Sequence, residues 1–260
     1  MTVRNEELYL SRAIEHLYGQ GIDTCLIDNE STDSTLKIAK DYLNRGIFRI
    51  ESIPYNGFFE LAKILACEEQ LTKEIEADWF IHHDADEIRQ ACAPYKTLYE
   101  GINAVDGLGY NAINFDEFVF LPTSDDESFE GTDYVEKMRY YYFFEPAPLR
   151  HIKAWKNSAQ LLDFVASGGH MANFADRKIY PVNFILRHYI ALSRAQVINK
   201  YGKRKYSPEE IEQRGWHRAR ARFNPLQLQL PGRHRLKFLS DDSNLDKSEP
   251  WTSHALFANK

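Results

Sequence analysis

The sequence predicts an α/β fold: a mixed, mostly parallel central sheet flanked by helices, with a helical and irregular C-terminal extension. Three observations predict it. Short apolar runs alternate with amphipathic segments of helical period from residue 1 to about residue 90. Helix-cap residues and glycines punctuate that alternation. Acidic residues stand where apolar runs stop. Strand–helix–strand alternation is the pattern of a sheet with parallel pairing and right-handed crossovers. With 260 residues, 43% hydrophobic and 27% charged, the chain has a globular makeup and can bury a sizeable core.

In order, residues 1–3 read as the tail of a strand, short for the first strand of a sheet. Residues 6–18 carry Leu10, Ala13, Ile14 and Leu17 on one helical face, and Gly19 and Gly21 end that helix. Thr24, Cys25, Leu26 and Ile27 make a buried strand that stops at Asp28-Asn29. Glu30-Ser31-Thr32-Asp33-Ser34 is dense in cap residues and opens a helix through Leu36, Ala39, Lys40 and Leu43, closed by Gly46. Residues 47–50 form the next strand. After the turn Pro54-Tyr55-Asn56-Gly57, the residues Phe58, Leu61, Ala62, Leu65 and Ala66 give a helix running to about Ile75.

Residues 78–89 follow, with Trp79-Phe80-Ile81, then His82 and His83, then Asp84, Asp86 and Glu87. As a strand, this stretch sends Asp84 and Asp86 to the same side. Carboxylates so close repel unless a cation or donor lies between them. A hard ion such as Mg2+ or Mn2+ takes oxygen ligands, often one or two carboxylates plus substrate phosphates. The plainer reading is a solvated acidic turn. Ligands of parallel sheets bind beyond the carboxyl ends of strands, which would bring Asp28 to the same edge.

Beyond Gln90 the pattern loosens. Residues 95–102 read as a helix and 110–115 as a strand, with 118–121 continuing it or forming another. Residues 123–133 are an acidic loop; 139–144 and 150–155 are strands. Ser167-Gly168-Gly169-His170 is a tight turn. Residues 185–189 lead into a helix over 193–201, and 208–222 read as a basic helix with Arg214, His217, Arg218, Arg220 and Arg222. Past Asn224-Pro225 no element is assigned.

Net charge is −6, which argues against nucleic-acid binding by the whole protein. Cys25, Cys67 and Cys92 are odd in number and lack metal-ligand spacing, as expected of reduced thiols. No apolar run approaches the roughly 18–20 residues of a membrane span. The expectation is a cytoplasmic protein. The basic 214–222 stretch is either a solvated helix face or a grip for an anionic membrane surface or an acidic ligand. The 15 Tyr and 16 Phe fit an aromatic-rich core or a carbohydrate-handling surface.

Taken together, Arg4-Asn5-Glu6, then Asp28-Asn29-x-Ser31-Thr32-Asp33-x-Thr35, then Asn56-Gly57 before a helix, then Asp84-Ala85-Asp86-Glu87 resemble glycosyltransferases of the family 2 type, with a GT-A (Rossmann-like) fold. The likeness covers residues 1–120 and, more loosely, runs to about 205. It implies a nucleotide-sugar-binding and catalytic domain over 1–205, with a donor half 1–90 and an acceptor half 91–205, and a basic extension over 206–260. It implies an inverting, metal-dependent transfer from a nucleotide-diphosphate sugar to a saccharide or lipid-linked acceptor, in work such as surface polysaccharide or glycolipid synthesis. Arg4, Glu6, Asp28, Asn29, Asn56 and Asp84 would hold the nucleotide. Asp84 and Asp86, with His170 or His188, would hold Mn2+ or Mg2+. Glu117 or Asp116 would be the base. Two other readings are a metal-dependent phosphoesterase, with His82, His83, Asp84, Asp86 and His170 as a mixed site, and a sugar-nucleotide-binding module without turnover. The sequence says nothing of which sugar or nucleotide is used, nor of subunit pairing.

Overall fold

The computed structural model describes residues 1–126, 128–157, 162–242 and 244–257. Its elements are β1 (Thr2–Val3), α1 (Leu10–Gly19), β2 (Thr24–Asp28), α2 (Thr35–Asp41), β3 (Ile47–Ser52), α3 (Leu61–Glu74), β4 (Trp79–Ile81), β5 (Glu87–Gln90), α4 (Leu98–Gly107), β6 (Ala112–Phe120), α5 (Tyr134–Lys137), β7 (Tyr140–Phe144), β8 (Ile152–Lys156), β9 (Phe184–Tyr189), α6 (Arg194–Lys203), α7 (Arg218–Ala221) and β10 (Lys237–Phe238). The mixed α/β class is as expected. The chain divides into two compact units: Met1–Tyr55, Leu61–Asp116 and Leu149–Leu186 form unit one, while Asn56–Glu60, Glu117–Pro148 and Arg187–Lys260 form unit two.

In unit one, β1, β2 and β3 form a parallel sheet with β2 in the middle. Thr2 pairs with Ile27 and Val3 with Asp28. α1 buries Leu10, Ala13, Ile14 and Leu17, the face its period predicts. It starts at Leu10 rather than at residue 6, because Asn5 is left-handed with φ 56° and Glu6 and Glu7 are tied elsewhere. The parallel pattern does not continue past β3. β4 pairs antiparallel with β8, matching Phe80 with Trp155, and β8 in turn pairs antiparallel with Ala112, Ile113 and Asn114 of β6. One core packs α4 against the sheet through Leu98, Ile102, Val105, Ile113, Phe115 and Phe184. Gly101 permits that approach: a Cβ there would stand 2.8 Å from Ala91 Cβ and from Phe184 Cζ, closer than packed atoms tolerate.

In unit two, Glu117–Phe120 of β6 pair antiparallel with β7, which pairs antiparallel with β10. Of the two readings of 118–121, continuation of the 110–115 strand is the one found: β6 is one nine-residue strand, buried along its whole length. The core of this unit gathers Val119, Tyr142, Phe144, Val197 and Tyr201, and the Tyr142 and Trp251 rings stack with centroids 4.5 Å apart. The helix expected over 208–222 is broken. Its first part is a π-helical turn, Glu210–Arg214. Gly215 (φ 72°) and His217 (φ 58°) then turn left-handed before α7, and left-handed residues do not continue a right-handed helix. The loop over 123–133 is irregular as expected, with Glu127 outside the described residues. Among the described residues, no helix is long and apolar enough to cross a membrane.

Candidate functional site

At the carboxyl ends of β1 and β2 two loops are laced together. Asp28 is buried (3% exposed) at the end of β2, and its carboxylate accepts the Ser31 N–H, 3.2 Å to each oxygen. Asn5 Oδ1 accepts the Thr32 N–H at 2.7 Å, Glu7 accepts the Ser34 N–H at 2.9 Å, and Asp33 accepts that of Thr35 at 2.9 Å. The cap-rich stretch therefore spends its backbone donors on carboxylates and an amide of the protein, which is capping in the ordinary sense. Arg4 bridges the same loops by donating to the Asn29 and Glu30 carbonyls, and its guanidinium lies 3.4 Å from the centre of the Tyr55 ring. Asn29 Nδ2 donates to the carbonyls of Ile53 and Pro54. The Glu6 amide donates to Thr35 Oγ1 at 2.8 Å.

The acid motif corrects one expectation. β4 ends at Ile81 and β5 begins at Glu87, so Asp84 and Asp86 lie on the turn between strands rather than alternating along one. A turn has no two-residue period, and the carboxylates differ accordingly: the Asp84 side chain is 47% exposed, while Asp86 is buried. Glu87 holds the turn by accepting the Asp84 N–H at 3.1 Å. It also takes the Arg89 guanidinium at 2.5 Å and the Lys153 ammonium at 3.3 Å, and Lys153 reaches Asp84 Oδ2 at 3.4 Å. Burial alone would raise the Glu87 pKa; Arg89 and Lys153 outweigh it and hold the carboxyl below its ordinary value.

A second set of contacts fastens this turn to β1. Thr2 Oγ1 donates to Glu68 Oε1 at 2.7 Å, Glu68 Oε2 meets His82 Nδ1 at 2.7 Å, and His82 Nε2 stands 3.8 Å from Asp84 Oδ1. Burial works against the Glu68 anion, but His82 beside it holds the pKa below normal. The next residue, His83, is buried with no such partner, and burial pushes its pKa down to about 3; it is neutral.

The remaining candidates are spread over the chain. In unit one, His170 Nε2 pairs with Arg150 Nη2 at 3.0 Å, so a metal at that nitrogen would displace the guanidinium. Asp116 Oδ1 accepts from Asn183 at 2.8 Å. In unit two, Glu117 Oε1 meets His188 Nδ1 at 2.6 Å, and Asn56 Nδ2 contacts Glu60 at 3.4 Å. Asp116 and Glu117 are neighbours on β6 and so face opposite sides of the strand. Among the described residues, no group of three or more His, Cys, Asp or Glu is set to hold a metal. A half-exposed Asp84 beside Asp86 instead offers the sparse oxygen donor set of a hard cation completed by phosphate and water. Glu68, Arg89 and Lys153 carry no motif, and the sequence reading did not single them out.

Unit one is an α/β unit with acids at the end of β2 and beyond β4. Residues 1–90 match the model of the family described as Glycosyl transferase family 2. No curated protein matches the chain. Among solved structures, Staphylococcus aureus TarS aligns at 13% identity and TM-score 0.43, covering 73% of this chain and 36% of that one. TarS 1-349 in complex with UDP aligns at 12% identity and TM-score 0.42, covering 76% and 64% respectively. The chain thus spans less than two thirds of the length of these structures.

Proposed function

We propose that the protein is a glycosyltransferase that moves a sugar from a nucleotide-diphosphate sugar to an acceptor hydroxyl, with a divalent cation and with inversion. The observation that carries this reading is the family 2 match over residues 1–90, a stretch that contains both Asp28 and the Asp84–Asp86 turn. Arg4, Glu6, Asp28 and Asn29 serve the nucleoside end of the donor, and the Arg4–Tyr55 stack supplies a flat cationic edge there. Asp84 and Asp86 hold Mg2+ or Mn2+, which when bound offsets negative charge on a diphosphate. In the reaction, the acceptor oxygen forms a bond to the anomeric carbon as the bond from that carbon to the phosphate oxygen breaks. The bonding pair leaves with the nucleoside diphosphate, and the acceptor proton passes to a carboxylate of β6, Glu117 or Asp116. A saccharide or lipid-linked acceptor, and work at the inner face of a membrane, fit this reading.

The phosphoesterase reading has less behind it, since His82 Nδ1 is committed to Glu68. The test is a thermal-shift panel of nucleotide-diphosphate sugars with and without Mn2+. The expected result is a rise in Tm that needs both a nucleotide sugar and the metal and disappears in Asp84→Asn. Stabilisation by no nucleotide sugar, together with phosphate release from a simple phosphoester, would overturn the proposal.

A further inference from the structure

We propose that residues 200–226 of unit two form a docking surface for an anionic lipid bilayer, with cations at the headgroups and Leu226 entering the apolar layer. Residues 200–222 hold eight Lys and Arg against three Glu, in a chain whose net charge is −6. So local a reversal of sign sets a positive field on an otherwise acidic molecule.

The fold gathers these cations. α6 ends at Lys203, and its Gly202 abuts the turn at Pro225: a Cβ on that glycine would stand 3.0 Å from Pro225 Cγ. The Tyr206 and His217 rings stack with centroids 4.8 Å apart, and Tyr201 meets Phe223 at 6.1 Å. The stretches 200–206 and 217–226 therefore lie against each other. Burial, helped by the charges of Arg220 and Arg204, pushes the His217 pKa down to about 3, which sets both guanidiniums near one ring. Lys203, Lys205, Arg214, Arg218 and Arg222 are exposed. Further along, Arg233 is ion-paired to Asp126 and Lys237 to Asp246; among the described residues, no ion pair joins Lys203, Lys205 or Arg222. Cations left unneutralised in this way are drawn to an anionic membrane surface.

The apolar component selects a bilayer over a nucleic acid. Among the described residues Leu226 is the most exposed large apolar side chain, at 94%, and Leu108 follows at 62%. Leu226 sits on the 3-10 turn Pro225–Gln227, where Asn224 Oδ1 accepts its N–H at 3.0 Å, so a fixed backbone presents it. A leucine flanked by cations suits the boundary of headgroups and acyl chains, and it has no ring on which a base could stack. The rings nearby are engaged within the protein: Phe223 with Tyr201 and Phe257, and Trp216 with the Arg214 guanidinium at 4.8 Å. This inference does not depend on the transfer reading, and its test uses no sugar donor.

The full chain is sedimented with vesicles of phosphatidylcholine, alone or with about 30% phosphatidylserine, at about 0.1 M and about 1 M salt. Binding should require phosphatidylserine and be lost at high salt. Lys203→Gln, Lys205→Gln and Arg222→Gln together should weaken it by about tenfold or more, and Leu226→Ser by about fivefold. Lys37→Gln, Lys40→Gln and Lys73→Gln together, which take the same charge from exposed positions of unit one, should leave it unchanged. Equal weakening by the two triple variants would overturn the proposal, as would full binding by Leu226→Ser. So would retention of a single-stranded RNA without binding to the anionic vesicles, which would assign the surface to a nucleic acid.

Discussion

Replacing Glu87 with Gln keeps the shape of the side chain and its acceptor for the Asp84 amide, and removes only the charge. Glu87 is 3% exposed and sits between the Arg89 guanidinium, whose side chain is fully buried, and the Lys153 ammonium, whose side chain is 6% exposed. Without the anion two buried cations face each other. Breaking a buried pair by removing one partner costs about 3–5 kcal/mol. In a chain of this size each kcal/mol moves Tm by about 2–4 °C, so Glu87→Gln should melt roughly 6–20 °C lower at neutral pH. The pH dependence follows in sign. The folded pKa of Glu87 is depressed, so its contribution is present above the unfolded value near ~4.3 and is lost as pH falls through the folded pKa. The wild type should therefore converge on the variant in acid. Urea melts of both proteins from neutral to acid pH measure this. If Glu87→Gln melts within about 2 °C of wild type at neutral pH, Lys153 and Arg89 do not depend on this carboxylate, and our account of what holds the Asp84 turn is wrong.

Other outcomes follow from the same structure. His83 is neutral when folded, with a pKa near 3, against about 6.5 unfolded; its contribution is complete above about 6.5 and falls as pH drops toward 3, so His83→Phe should flatten the pH-stability curve in that window. Glu117→Gln should leave donor binding by calorimetry unchanged while transfer falls about 10²–10⁴-fold; unchanged transfer moves the role to Asp116 or elsewhere. Gly101→Ala should lower stability by about 1–3 kcal/mol through overpacking against Ala91 and Phe184, read as a drop in urea midpoint. Arg4→Ala should weaken nucleotide-sugar binding without changing the metal requirement, as followed by thermal shift.

What the sequence disclosed and what it hid have physical reasons. α1, β2, α2 and β3 were legible because each is amphipathic or bounded by caps, so local pattern and global fold agree. The shape of the Asp84–Asp86 stretch was not legible, since a three-residue strand followed by a turn has the same composition as a longer strand. β6 carried no alternation because every residue of it is buried, and its central Asp116-Glu117 left open whether one strand or two ran through it. The basic 208–222 run has helical composition, but the left-handed Gly215 and His217 divide it, and nothing in the residue type of His217 announces that. Glu68 and Lys153 act through contacts made far along the chain, at sequence separations of 66 and 69 residues, which no local reading reaches.

The lacing of the Asn5 and Ser31 loops carries a consequence for anyone who would alter them. Each loop completes the other's valences, the first lending Asn5 and Glu7, the second lending Ser31, Thr32 and Asp33. Such partners do not vary independently: a swap in one strands a donor or acceptor in its mate. Redesigning this region therefore means transplanting both loops as a single cassette.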